Sequence, residues 1–317
     1  MTFFLGVDGG QSSTTAIIGD ETGRALGYGR GGPCNHVEAS AGRAKFLAAM
    51  KGCLEPACEQ AAVSLNQIRF ARACLGFSGG PADKEALLQQ MLPAEHIHVT
   101  NDAVIALSGA TAGEPGIITI AGTGSISLGR NARGKTARAG GWGYSFGDEG
   151  GGYDLARQAL RAALRMEEGW GAPTALHGML LEASGARNAN DLLHQFYTEA
   201  FPRPRIASFS RLVDEAAMNG DAIARELLHN AARQLAGYTA AVRGQLFAEA
   251  EPAVLAYVGG VFKSRVLLDR FVELVSIEEA NRVGPPLHGP AVGALLEAYR
   301  YAGLTSIRLS NVPEFEK

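Results

Sequence analysis

The sequence predicts an α/β protein made of two related domains. Three observations point there. Three β-like runs open the chain, Phe3–Asp8, Thr14–Gly19 and Ala25–Gly29, with Thr22-Gly23 as a turn between the last two. Strands and helices then alternate. Finally, GVDGGQSSTTAII has a counterpart, TIAGTGSISLG, about 113 residues later. Both read as strand, Gly/Ser/Thr turn, strand, so the chain looks duplicated.

Taken in order, Val37–Val63 reads as a helix with Gly42 and Gly52 as weak points. Ile68–Phe77 is a strand, Ala82–Met91 a helix, Ile97–Thr100 a strand, and a helix follows from about Val104. Ala112-Gly113-Glu114-Pro115-Gly116 is the hinge candidate. The second half repeats the start. Gly116–Ala121 is an apolar run, GTGS the turn, Ile126–Leu128 the next strand, and Ala137–Trp142 leads out past the polar turn Arg133-Gly134. After Gly152 the chain turns mostly helical to about Glu249. Ala253–Val258 is a late strand closed by GGVFKS, and Pro290–Tyr301 is a terminal helix.

Composition narrows the function. In 317 residues, 46% are apolar and 19% charged, which suits a globular protein. The net charge of −3 gives no footprint for nucleic acid. The N-terminal MTFFLGVDGG lacks a basic flank and is interrupted by Asp8, so no signal peptide is expected. No apolar stretch is long enough to span a bilayer, so no membrane partner is expected. Cys34, Cys53, Cys58 and Cys74 have no metal-site spacing. They read as buried free thiols in a reducing, cytoplasmic setting. The 41 glycines are about 13% of the chain, against a usual ~7%. They cluster with Ser and Thr, as where backbone must approach a ligand.

Four glycine motifs compete. Gly27-x-Gly29-x-x-Gly32 has the letters of a dinucleotide fingerprint, but Pro33 stands where its helix should begin. Gly259–Ser264 is not a phosphate loop of the Walker type, because Phe262 occupies the place of the Gly before Lys263. Gly76-Phe77-Ser78-Gly79-Gly80 fits a nucleophile elbow, with Asp102 or Asp148 and then His288 completing a triad order. That hydrolase reading needs an oxyanion loop that the sequence lacks, and it leaves the paired turns without a role. The alternative is a tight turn whose Ser78 caps the next helix or touches a ligand. The paired turns Gly9–Ser13 and Gly122–Ser125 form the fourth set. Their backbone N–H groups and hydroxyls can grip one polyphosphate, and Asp8 could hold Mg²⁺, chiefly through water.

The set GVDGGQSSTT, CNHV, GFSGG, TNDAV, AGTGS, GGWGYSFGDEGG and VGGVFKS resembles the N-acetylglucosamine kinase branch of the BadF/BadG-type ATPases, in the hexokinase and actin superfamily. The resemblance runs from about Gly6 to the Pro290–Tyr301 helix. It implies a two-domain actin-like ATPase (ribonuclease H-like) fold with an interdomain cleft. The domains would span 1–113, joined by the returning helix 290–303, and 114–289, with a helical insertion over 151–249. It implies ATP and Mg²⁺ as cofactors and transfer of phosphate to the 6-hydroxyl of an amino sugar, N-acetylglucosamine first. Glucosamine, N-acetylmuramate and N-acetylmannosamine stay open as acceptors, as does an ATPase that switches a protein partner. A homodimer is also implied.

Residue by residue, the resemblance gives Asp8, Gly9, Gly10 and Ser12 to the first phosphate turn and Thr123 to the second. Gly259, Gly260 and Ser264 correspond to the nucleotide-side loop. Asn35, Gly141, Trp142 and Asp148 correspond to sugar contacts, with Ser78 beside them. Asp102 corresponds to the residue that binds the accepting hydroxyl and acts as base. Gln11-Ser12-Ser13 departs from the Gly-Thr-basic order common in the family.

Each residue also has a plainer reading. Asn101 or Asp102 could simply cap a helix. Asp148-Glu149 could be a solvated acidic turn, and Trp142 ordinary core. His96 and His98 share a strand face, but no third ligand is evident. Arg130, Arg133, Lys135 and Arg138 read as a solvated hairpin.

Overall fold

The computed structural model describes residues 1–10, 12–34, 40–77 and 84–314, with only the backbone of Ser40 and Ala41. It divides into two compact units, Met1–Glu114 with Pro285–Lys317, and Pro115–Gly284. The first unit runs β1 (Phe3–Gly9), β2 (Thr14–Asp20), β3 (Ala25–Gly31), α1 (Ser40–Gln60), β4 (Phe70–Phe77), α2 (Glu85–Met91), β5 (Ile97–Asn101) and α3 (Asp102–Ala110). The second begins with β6 (Gly116–Ala121), β7 (Ser125–Arg130) and β8 (Thr136–Gly140). Its helices are α4 (Gly152–Glu167), α5 (Leu176–Ser184), α6 (Ala189–Phe196), α7 (Arg203–Ser208), α8 (Ser210–Met218) and α9 (Ala222–Leu246). It closes with β9 (Ala253–Val258), α10 (Arg265–Val275) and β10 (Asn281–Gly284). The chain then returns to the first unit as α11 (Pro290–Tyr301).

One topology occurs twice. The first sheet is ordered β3-β2-β1-β4-β5 and the second β8-β7-β6-β9-β10. In each, three antiparallel strands lead into two parallel ones. This is the duplicated actin-like, ribonuclease H-like fold, and it explains why the two Gly/Ser/Thr turns recur at matching positions.

The central strand β1 is apolar because both its faces are covered. Leu5 and Val7 join Phe46, Met50 and Leu54 of α1 in one cluster. Phe4 joins Leu295 and Tyr299 of α11 in another, with the Phe4 and Tyr299 rings 4.7 Å apart. Alternate glycines on β3 let α1 lie close. A Cβ on Gly27, Gly29 or Gly31 would collide with the carbonyls of Ala57, Cys53 and Ala49 respectively. The first two glycines of the dinucleotide fingerprint are therefore part of a packing stripe, while its third, Gly32, lies past the end of β3 with nothing against it.

Several elements differ from expectation. Helix α3 begins at Asp102, two residues before Val104. Strand β10 and helix α10 had no clear signal. Beyond α11 the chain crosses back to the β2–β3 turn. There Ala25 N–H donates to Ser310 O at 2.9 Å, and Ser310 N–H donates to Gly23 O at 3.0 Å. The hairpin reading of the basic run holds for Arg133, Lys135 and Arg138, which are exposed, but Arg130 is only 8% exposed. His98 stacks on Tyr301 with centroids 3.8 Å apart. Cys34, Cys53, Cys58 and Cys74 are buried free thiols.

Candidate active site

In the first unit, the parallel strands bring two carboxylates to one edge. Asp8 lies at the end of β1, in register with Gly76 of β4, and Phe77 pairs with Asn101 of β5. Asp102 follows directly. The C-terminal edge of parallel strands is where open α/β sheets bind ligands. Burial raises the Asp8 carboxyl to about 6, and the negative charge of Asp102 adds to the effect. The cap of α3 is not Asp102. Asn101 Oδ1 accepts the Val104 N–H at 3.0 Å, so the capping role is filled one residue earlier.

The first turn is held from behind. Gly10 N–H donates to Ser13 O and Cys34 N–H donates to Gly10 O, both at 3.0 Å. Cys34 Sγ and Thr14 Oγ1 share a hydrogen bond of 2.8 Å. The Phe77 ring presses on Gly9, where any Cβ would overlap it. Lys84 is fully buried, with its ammonium 5.4 Å from the Phe77 ring centroid. Its charge partly opposes the burial that pushes the Cys34 thiol up. Sequence reasoning passed over Lys84. A lone Lys between two acids at a helix start reads as surface, and only the fold puts it inside. Beside Asp8 lies a cavity of about 160 Å³, walled by Thr15, Tyr28, the start of α11 and Pro313.

In the second unit, the GTGS turn meets the start of α4. Gly152 N–H donates to Gly122 O at 2.8 Å and Tyr153 N–H to Thr123 O at 3.0 Å. Among the described residues, no hydrogen bond engages the N–H groups of Thr123 and Gly124, which is what an anion-binding turn needs. Gly259, at φ 118°, packs on the Ala121 carbonyl at the end of β6, so the two glycine turns are neighbours. The Ser264 hydroxyl is engaged on both sides. It donates to Asp214 of α8 and accepts the Leu267 N–H at 3.3 Å, capping α10. Against this loop lies a cavity of about 150 Å³ lined by Leu155, Ser210, Arg211, Asp214, Leu228 and Lys263.

Asp148 and Glu149 part company. The Glu149 carboxylate accepts the Tyr238 hydroxyl of α9. Asp148 is only 6% exposed, so it is no solvated turn. Among the described residues its carboxylate receives no hydrogen bond, and its one ion pair, to Arg203, is 4.0 Å long. It sits at φ 62° with its carboxylate packed on Gly124, where a Cβ would displace it. A buried carboxylate without donors costs free energy unless a ligand supplies them. Trp142 is 66% exposed, which excludes the core reading, and the Arg138 guanidinium lies 4.6 Å from its ring. Gly141 N–H donates to Ser125 O at 2.9 Å, tying the loop to β7.

Residues 5–298 match the BadF/BadG/BcrA/BcrD ATPase family. The chain belongs to that family. It is 32% identical over 283 residues to an N-acetylmuramic acid/N-acetylglucosamine kinase of Clostridium acetobutylicum, covering 87% of this chain and 91% of that one. An N-acetyl-D-glucosamine kinase of Dictyostelium discoideum is 31% identical over 281 residues, covering 84% and 87%. A solved structure from Chromobacterium violaceum, described as a candidate N-acetylglucosamine kinase, superposes with TM-score 0.72 at 26% identity, covering 93% of this chain and 98% of that one.

Within this BadF/BadG-type ATPase, the first unit groups Asp8, Gly9, Gly10, Ser12 and Asp102 around one strand edge. The second groups Thr123, Gly259, Gly260 and Ser264 around the two glycine turns, with Gly141, Trp142 and Asp148 on the adjoining loop. Asn35 and Ser78 lie outside the described residues. Among the described residues, no helix is long and apolar enough to cross a membrane.

Proposed function

We propose that this ATPase is an ATP-dependent amino-sugar kinase that phosphorylates the 6-hydroxyl of N-acetylglucosamine. The observation that carries the reading is Asp102. It stands at the sheet edge beside Asp8 in a helix whose cap is already provided by Asn101. Phosphoryl transfer asks for positioning, charge neutralisation and a carboxylate near the nucleophilic hydroxyl. The names of the relatives support the same reading.

Asp102 takes the proton of the sugar 6-hydroxyl as that oxygen bonds to the γ-phosphorus. The bond from phosphorus to the bridging oxygen breaks, and ADP leaves with the electron pair. Thr123 and the neighbouring N–H groups, with Gly9, Gly10 and Ser12, bind phosphate oxygens. Gly259 and Gly260 face the nucleotide, and Ser264 braces that loop through Asp214. Asp148 receives sugar hydroxyls and Trp142 covers a sugar face; Asn35, Ser78 and Gly141 complete the sugar side.

Mg²⁺ fits the first unit, because Asp8 and Asp102 are close enough for one charge to raise the other's pKa, and a cation relieves that repulsion. Asp8 would hold it, chiefly through water, and when bound it supplies charge neutralisation on the phosphates. A homodimer and cytoplasmic residence complete the proposal, the latter supported by four buried free thiols.

The deciding experiment is ADP release across a panel of amino sugars, with the product site assigned by phosphorus NMR. Sugar-dependent release with a 6-phosphate product is expected. ATP hydrolysis indifferent to every sugar would favour a switch ATPase instead.

A further inference from the structure

A buried acid that the transfer chemistry leaves unused lies between two helices of the first unit. Glu297 of α11 is 1% exposed. Its carboxylate accepts the hydroxyl of Ser108 on α3, and Arg300 Nε and Nη2 both donate to its Oε2, at 2.8 and 2.6 Å. Burial pushes the Cys74 thiol of β4 up to about 12, and the charge of Glu297 adds to the rise, so the carboxylate also lies near that strand. Around it the helices meet backbone to backbone. A Cβ on Gly293 would strike the Ile105 carbonyl, and one on Gly109 the Gly289 carbonyl. Helix α11 presses equally closely on β1, since a Cβ on Gly6, two residues before Asp8, would strike Leu295 N and Ala291 O. One helix thus touches both the strand that carries Asp8 and the helix that starts at Asp102.

We propose that Glu297 is a positioning residue for Asp102: through Ser108 it fixes the register of α3 on α11, and with it the place of the base relative to Asp8. The inference rests on the reading of Asp102 as the base. The side chains packed in this seam, Ile105, Ala294, Leu295 and Ala298, are apolar. Apolar contact is non-directional, so it draws α3 close but only weakly opposes a slide along α11. A hydrogen bond between two buried groups is directional and costly to break, so it opposes that slide strongly. A slip of one residue would carry Asp102 about 1.5 Å along the axis of α3. A misplacement of about 1 Å can cost a reacting group roughly a hundredfold in rate. A buried ion pair often adds little net stability, yet it can specify a single pairing of elements. Glu297 is therefore a device for placement more than for stability.

The test places Glu297→Leu, Glu297→Gln and Ser108→Ala in the parent and in Asp102→Asn. Sugar-dependent ADP release gives kcat and the ATP KM, and Tm is read on each preparation. Leu fills the space with apolar atoms, whereas Gln keeps an oxygen for the Ser108 hydroxyl. In the parent, Glu297→Leu should lower kcat about tenfold or more and leave the ATP KM within about threefold. Ser108→Ala should lower kcat by more than about threefold, and Glu297→Gln should stay nearer the parent than Glu297→Leu. In Asp102→Asn, Glu297→Leu should add no more than about a twofold loss, because the side chain it places no longer takes the proton. A merely structural role would lower the rate equally in both backgrounds. Equal losses would therefore overturn the inference and leave Asp102 as the base. So would a Glu297→Leu kcat within about threefold of the parent while Asp102→Asn is impaired. A parental rate in Asp102→Asn would overturn both readings. If Glu297→Leu fails to fold, Ser108→Ala is read in both backgrounds against the same threefold and twofold limits.

Discussion

Asn101 Oδ1 accepts the Val104 N–H at 3.0 Å, so the side chain that caps α3 stands one residue before Asp102. The distinction separates two kinds of loss. Asn101→Ala should cost about 1 kcal/mol of stability through the cap.

Asp102→Asn should instead leave Tm near that of the parent and lower kcat by about 10²–10⁴. A loss at the low end still fits, since positioning carries much of phosphoryl transfer. Sugar-dependent ADP release and Tm are measured together. A rate within about threefold of the parent would remove Asp102 as the base.

Asp148→Asn tests the sugar contact cleanly. At φ 62° an Asn is tolerated where an Ala would be strained, so the backbone stays put and only the charge goes. The sugar KM should rise about tenfold or more while the ATP KM stays within about threefold. An unmoved sugar KM takes Asp148 out of the site.

Gly124→Ala should reproduce part of that defect from the phosphate side. Its Cβ would overlap the Asp148 carboxylate, so sugar and ATP KM should both rise. Combined with Asp148→Asn, the effect on sugar KM should be less than additive, since the two changes share one contact. Full additivity would mean that the carboxylate does not move.

His98 gives a pH prediction. Burial lowers its pKa below the ordinary 6.5, and the charges of Arg72, His96 and Arg300 add to this. The unfolded chain therefore binds the proton more readily, so stability is intact above about pH 6.5 and is lost as pH falls below it. Among the described residues His98 Nε2 is buried without a hydrogen-bond partner, and the ring stacks on Tyr301. His98→Phe keeps the stack and removes the proton site. Its Tm advantage over the parent should be small at neutral pH and grow toward pH 5. A gap that stays constant across that range would assign the acid loss elsewhere.

The sheets were legible in the sequence because their signals are local: apolar runs of strand length, each closed by glycine. The duplicated turns and Asp8 and Asp102 at strand ends follow from the same pattern. What escaped depends on contacts between distant residues. The Ala25–Ser310 pairing, the burial of Lys84 under Phe77 and the burial of Arg130 have no local signature. The glycines of β3 were visible but ambiguous, since a strand pressed on a helix and a loop pressed on a phosphate ask for the same missing Cβ. Arg203 was invisible because nothing in its neighbourhood of the sequence announces Asp148, fifty-five positions upstream.

The return of α11 to the first unit sets an order of events during synthesis. One face of the first sheet, with Phe4, Ile17 and Cys74, is covered by Ala291, Leu295 and Tyr299. Those residues leave the ribosome only after the whole of Pro115–Gly284. At about 5–20 residues per second, the earliest strands wait on the order of ten seconds or more with an oily face exposed. The second unit, contiguous in the chain, can close during that interval. The half of the protein translated first is thus completed last, and nascent chains stalled before Pro290 should depend on holdase chaperones in a way the released protein does not.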